Sequence, residues 1–262
     1  MIQLISEYRL HRLPFVVLAL MGLAGVFLPS LAEAQNRNDG HALFDAVLRD
    51  HVDDGAVDYP AVAADTRFAD YLEQLRKTDA QSLPRAQKLA FWINAYNALA
   101  MKGILDGSSP RSFFGKAKFF YTDKYEAGGV KTNLYDLEHD ILLPLNDARI
   151  HFAIVCASRS CPKLRAEAYD SERLDQQLDA SARDFINDAT RNRYDRAQKT
   201  AYLSAIFDWF EGDFERAAGG VQKFVARYLN DEHIAQELDS ESYRVEHLDY
   251  DWNLNGKPPE KR

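Results

Sequence analysis

The sequence predicts an α+β fold, a helix-rich single domain packed on a small, mainly antiparallel sheet. Three observations lead there. Apolar residues recur at helical spacing in several segments, most strongly in FWINAYNALA (91–100). Shorter runs rich in Ile, Val and Phe alternate instead, as in RIHFAIVC (149–156). Gly- and Pro-containing turns separate the two kinds of segment, and the helical ones are in the majority.

In chain order, Leu43, Phe44, Val47 and Leu48 give the first helical face, after a polar start from Gln35. Gly55 and Pro60 break it. Phe68, Tyr71, Leu72 and Leu75 mark a second amphipathic helix. The third runs through SLPRAQKLAFWINAYNALAMKGILDG (82–107), with Ser82 as cap, Pro84 in the first turn and Gly103 and Gly107 near the end. Its face of Leu89, Trp92, Ile93, Tyr96, Leu99 and Ala100 makes it the central helix. Residues 108–133 read as loop, strand, a Gly128-Gly129 turn and a short strand, a hairpin signal. Asn133 caps LYDLEHDILL (134–143), whose inward stripe is 134, 137, 138 and 141, and Pro144 stops it. RIHFAIVC follows as a strand in the sheet under the central helix. A helix over DSERLDQQLDASARDFINDAT (170–190) turns Leu174, Leu178, Phe185 and Ile186 inward. AIFDWFEGDFE (205–215) and GGVQKFVARYLND (219–231) read as helices, and YRVEHLDYDWNLNG (243–256) as a strand and a polar turn.

The N-terminus has a different character. Arg9 and Arg12 precede an apolar run from Leu13 to Leu28, then Pro29 and small residues at Ala32 and Ala34. A basic flank, an apolar core and an A-x-A site predict a secretory signal peptide over residues 1–34. At about 16 residues the run is short for a ~30 Å bilayer core, so no stable membrane insertion is expected after cleavage. The remainder divides into an N-terminal helical segment (35–80), a core domain (81–256) and a disordered tail (257–262). The net charge of −8 argues against nucleic acid and anionic lipid as main partners. Export implies a periplasmic or extracellular setting, where the chain's two cysteines can pair.

FWINAYNALA, LEHDIL (137–142), RIHFAIVCASRSCPKLR (149–165), AIFDWFEGDF (205–214) and YDWNLN (250–255), in this order, resemble domain-of-unknown-function family 547 (DUF547) over about Leu89 to Asn255. Ala157 departs from the pattern, because glycine is expected after the cysteine. The family has no established activity. The resemblance implies an exported soluble or envelope-associated α+β domain and, by fold-level analogy alone, a papain- or transglutaminase-like arrangement.

Cys156 enters a Ser-rich turn, where free backbone N–H groups lower a thiol pKa and favour a nucleophile. His139, on the helix just before, is the expected base, with Glu138 or Asn94 orienting its imidazole. Strand-end N–H groups would hold the oxyanion. The expected chemistry is a cysteine-dependent hydrolase or acyl transferase acting on peptide or amide bonds of an envelope peptide or protein. The alternative is a non-catalytic binding or scaffold domain with a structural Cys156–Cys161 disulfide, closed by a short loop. Asn94 and Asn97 equally suit helix-to-loop bracing. His247, with Asp251 or Asn253, is a competing base in papain-like order. His151 lies roughly 16 Å from Cys156 along an extended strand, which makes it a poor base. Cys156, Cys161, His139 and His151 carry zinc-ligating atoms but lack finger spacing, so no metal is expected. No phosphate-cradling loop or serine elbow occurs, and no cofactor is expected.

Overall fold

The structure, a computed structural model, describes residues 40–259. The expected leader (1–34) and residues 260–262 lie outside that range. The described chain is a helix-rich α+β domain whose strands form three small sheets.

Helix α1 (Ala42–His51) and α3 (Thr66–Lys77) pack through Phe44, stacked on Tyr71 at 4.8 Å. Between them lie an antiparallel pair, β1 (Val52–Asp53) and β2 (Ala56–Asp58), and α2 (Tyr59–Ala64). Pro60 starts α2 instead of breaking the chain, because a first-turn residue needs no N–H. These elements share one apolar core with the middle of the chain, so residues 40–80 are integral to it.

Helix α4 (Arg85–Leu105) is buried on every side along its middle and is the centre of that core. It begins after Pro84. Ser82 belongs to a separate 3-10 turn, Ala80–Ser82, capped by Asp79. Next, α5 (Phe113–Lys116) runs into a π-helical Ala117–Thr122, where the sequence suggested loop and strand. The hairpin is as expected: β3 (Tyr125–Ala127) pairs with β4 (Val130–Thr132) around Gly128-Gly129. Gly128 has φ +62°, and a Cβ there would lie 2.5 Å from the Trp92 ring. Asn133 caps α6 (Leu134–Asp136), accepting from the Asp136 N–H at 2.7 Å. The helix then widens into a π-helical Leu137–Leu142. Its buried stripe is Leu134, Leu137, Glu138 and Leu142, because the wider turn carries the face one residue beyond the expected Ile141.

The segment 149–156 is not a strand. Ala148–Phe152 is a 3-10 turn capped by Asp147, and irregular backbone follows. The alternation that suggests a strand has another cause. Ile150 and Ile154 enter the first core, while Ala148 and Phe152 enter a second one. A coil between two cores buries both sides, much as a strand does.

The second core is aromatic. Phe152 lies 5.0 Å from Phe185, 5.7 Å from Phe207 and 5.9 Å from Phe224, centroid to centroid. It is built by α7 (Leu174–Ile186), by β5 (Arg193–Asp195) antiparallel to β6 (Thr200–Ser204), and by α8 (Ile206–Trp209) and α9 (Glu211–Ala218). Helices α10 (Val221–Ala226) and α11 (Glu232–Asp239) close it. Strand β7 (Arg244–Leu248) pairs parallel to β6. Strand β8 (Gly256–Lys257) returns to the first core, parallel to β2. Gly256 is needed there, since a Cβ would collide with the Val57 backbone. Lys257 is thus part of a sheet, and the ordered chain extends past the expected boundary at 256. No helix among the described residues is long and apolar enough to cross a membrane.

Candidate active site

Two buried asparagines on α4 hold the surrounding coil. Asn97 donates through Nδ2 to the Ala153 carbonyl (3.0 Å) and accepts the Val155 N–H on Oδ1 (2.8 Å). It serves the backbone as a neighbouring strand would, which is why residues 153–155 need no ladder. Asn94 makes the same two-pronged contact with Tyr169, at 2.8 and 2.9 Å. Asn97 therefore delivers Cys156 one residue beyond a fixed point.

Cys156 opens into a cleft of about 340 Å³. One wall is a ring stack of Tyr121, Tyr135 and His139, with centroids 4.7 and 3.8 Å apart. Trp209, Tyr250 and Trp252 form another cluster, 4.6 to 5.8 Å apart. The Lys116 ammonium sits 3.7 Å above the Trp252 ring. Tyr96, Glu138, Cys156 and Cys161 are among the deeper lining residues. A larger depression of about 520 Å³ lies elsewhere, beside Arg49, Lys163 and Arg165, and is lined by neither thiol nor imidazole.

Neither cysteine is bonded to the other, yet their sulfurs are 2.7 Å apart. Cys161 Sγ accepts from the Tyr250 hydroxyl (3.0 Å) and from the Cys156 N–H (3.1 Å). Burial pushes the Cys161 thiol up, but the hydrogen bonds from Cys156 and Tyr250 outweigh it and hold the pKa below its ordinary value. The hydrogen bond with Cys161, and then burial, push Cys156 well above the ordinary thiol range. Of the two, the inner Cys161 is thus the easier to ionise, and the half-buried Cys156 holds its proton more firmly. Ala157 has φ +61°, a conformation costing an L-residue roughly 1–2 kcal/mol, which accounts for the expectation of glycine.

The other expected residues fall as follows. His139 lines the cleft and its Nδ1 contacts the Tyr135 carbonyl at 3.0 Å. That carbonyl can only accept, so Nδ1 carries a proton, and in the neutral ring Nε2 is the acceptor. The orienting groups are the Tyr135 carbonyl and ring, rather than Glu138 or Asn94. Glu138 lines the same cleft, with the Tyr96 hydroxyl 3.5 Å away. Burial, reinforced by Cys156, pushes its pKa up to about 8, so it is a neutral acid at pH 7. Asn94 does not line the cleft, and both ends of its amide serve Tyr169. His247 is exposed on β7, away from the cleft.

Four N–H groups around the turn are already engaged: Val155 to Asn97, Cys156 to Cys161, Arg159 to Asn253, and Ser160 to Asp251. Sequence reasoning gave three residues here a lesser role than the structure does. Cys161 looked like a mere partner, Tyr250 was only part of a turn motif, and His151 was discounted on the assumption of a strand. The coil brings His151 to the cleft, with Nε2 2.7 Å from Asp213 and Phe210 stacked on its ring at 3.9 Å. Desolvation by burial, with the nearby His139 and Arg216, pushes its pKa down to about 3. No signal in the sequence joins Asp213 to His151. For Tyr250, its place beside the DUF547-like YDWNLN was the available hint.

Residues 80–186 match the family model described as "Protein of unknown function, DUF547", and the chain carries that domain there. No curated protein and no solved structure matches the chain.

Proposed function

We propose, for a chain carrying a DUF547 domain, a thiol-dependent hydrolase or acyl transferase acting on peptide or amide bonds of the cell envelope. The observation that carries this reading is the convergence of Cys156, His139 and Glu138 on one aromatic cleft. Cys156 rests as a thiol, so attack on a carbonyl carbon requires a base. His139 takes the thiol proton on Nε2 and returns it to the leaving amine. The thioester passes to water or to a second amine. The Tyr250 hydroxyl and the neutral Glu138 carboxyl are the donors for the oxyanion.

Thiol titration of the native protein without reductant tests this reading. One fast-reacting thiol is expected, lost in Cys156→Ser and slowed in His139→Ala. Unchanged reactivity in His139→Ala would remove its basis. A second reading, a non-catalytic envelope domain with a permanent Cys156–Cys161 disulfide, is favoured by the 2.7 Å between the sulfurs. It requires no free thiol and a mass lower by two hydrogens. Export is part of the proposal, supported by the leader-like residues 1–34. It calls for an envelope-fraction protein whose first residue is Gln35.

A further inference from the structure

We infer that Cys156 and Cys161 form a reversible dithiol–disulfide couple that oxidises the thiols of cysteine-containing polypeptides, preferring cysteines flanked by apolar or aromatic residues. This goes beyond acyl transfer and does not depend on it. The sulfurs are already 2.7 Å apart. The loop between them is held from outside, through Arg159 N–H to the Asn253 carbonyl (2.8 Å), Ser160 N–H to the Asp251 carbonyl (3.2 Å) and Asp251 N–H to Ser160 Oγ (2.8 Å). Bond formation and cleavage thus occur on a fixed frame.

The two sulfurs are unequal in the way exchange requires. Cys156 is the more exposed, so an incoming thiolate meets it first. Cys161 is buried and accepts hydrogen bonds from Tyr250 and the Cys156 N–H, so it departs readily as a thiolate. Those hydrogen bonds also stabilise the reduced protein, which makes its disulfide the oxidant. The aromatic walls supply the substrate preference.

In the first step a substrate thiolate attacks Cys156 Sγ. The Cys156–Cys161 bond breaks and Cys161 leaves with the electron pair. In the second, another substrate thiolate attacks the substrate sulfur of the mixed disulfide and Cys156 leaves. The substrate has lost two electrons and its two thiol protons. The protein has gained the electrons and, by exchange with water, the two protons. A small-molecule disulfide, reduced in turn, restores the couple.

The test equilibrates the whole protein with glutathione at varied ratios of reduced to oxidised form, traps thiols with a maleimide and counts them by mass. Both thiols are expected to disappear and return together within the glutathione range. The oxidised protein is expected to convert a reduced two-cysteine peptide with aromatic neighbours to its disulfide, at least tenfold faster than Cys156→Ser or Cys161→Ser does. Tyr250→Phe is expected to need a several-fold higher ratio of reduced glutathione to open the bond. Thiols that stay free at every ratio, a bond that never opens, or peptide oxidation equally fast with Cys161→Ser would each overturn the inference. Cys161→Ser keeps Cys156 and His139, so acyl transfer can be tested separately on that variant.

Discussion

Replacing Asn97 with alanine removes one side chain and orphans two buried backbone groups. The Val155 N–H loses its acceptor at 2.8 Å and the Ala153 carbonyl its donor at 3.0 Å. Asn97 is 2% exposed, so water does not readily take its place. Each orphaned group costs about 1–3 kcal/mol, which sums to roughly 2–6 kcal/mol. That is a large share of the ~5–15 kcal/mol that holds a domain together. At about 2–4 °C per kcal/mol for a domain of this size, Tm should fall by roughly 4–24 °C. Urea and thermal melts measure it. Native-state alkylation of Cys156 adds a second readout, because Asn97 fixes the coil next to that thiol. Asn94→Ala breaks the equivalent bonds to Tyr169 and should destabilise by a similar amount without changing the alkylation rate. A loss below about 1 kcal/mol in Asn97→Ala, or equal changes of thiol rate in the two variants, would refute the reasoning.

Glu138 makes stability depend on pH. Its pKa is raised from 4.5 to about 8, so its contribution is intact below pH 4.5 and is lost as pH rises to about 8, where the unfolded carboxyl ionises and the folded one does not. The loss is on the order of 5 kcal/mol. Glu138→Gln should flatten urea-melt stability across that window, and parallel slopes would contradict the assignment. Gly128→Ala should cost more than Gly129→Ala. Both positions require positive φ, about 1–2 kcal/mol, but only the Gly128 Cβ meets Trp92, adding roughly 1–3 kcal/mol of overpacking. Equal melting temperatures would show that the ring yields freely. Phe152→Ala should cost about 3–5 kcal/mol, because four rings of the second core surround it. A loss under about 1 kcal/mol would mean the core refills.

The helices and the Gly-Gly hairpin were legible because their signals are local. Period 3.6, the Asn133 cap and two adjacent glycines need no knowledge of the rest of the chain. The segment 149–156 was misread because alternation reports two buried sides and is silent on what buries them. Here two cores do so, and a distant asparagine satisfies the backbone. For the site, the cysteines, Glu138 and His139 stood out by residue type and nearness in sequence. Tyr250 and Asp213 did not, being 89 and 62 residues from the groups they contact. The proton's preference for Cys156 over Cys161 depends on which sulfur receives the hydrogen bonds, a fact of geometry with no counterpart in the residue order.

The widened turn at Leu137–Leu142 ties the cleft to chain length at one place. Deleting a single residue there would let the helix rewind to its ordinary pitch with its backbone bonds intact. Leu142 would still reach the core, but Glu138 and His139 would rotate by roughly 100° about the axis. Leu137, buried beside them, would turn with them, so a shortened protein of this kind should melt below the parent and lose both side chains from its cleft. Insertions and deletions in this stretch therefore strike the scaffold and its chemistry at once.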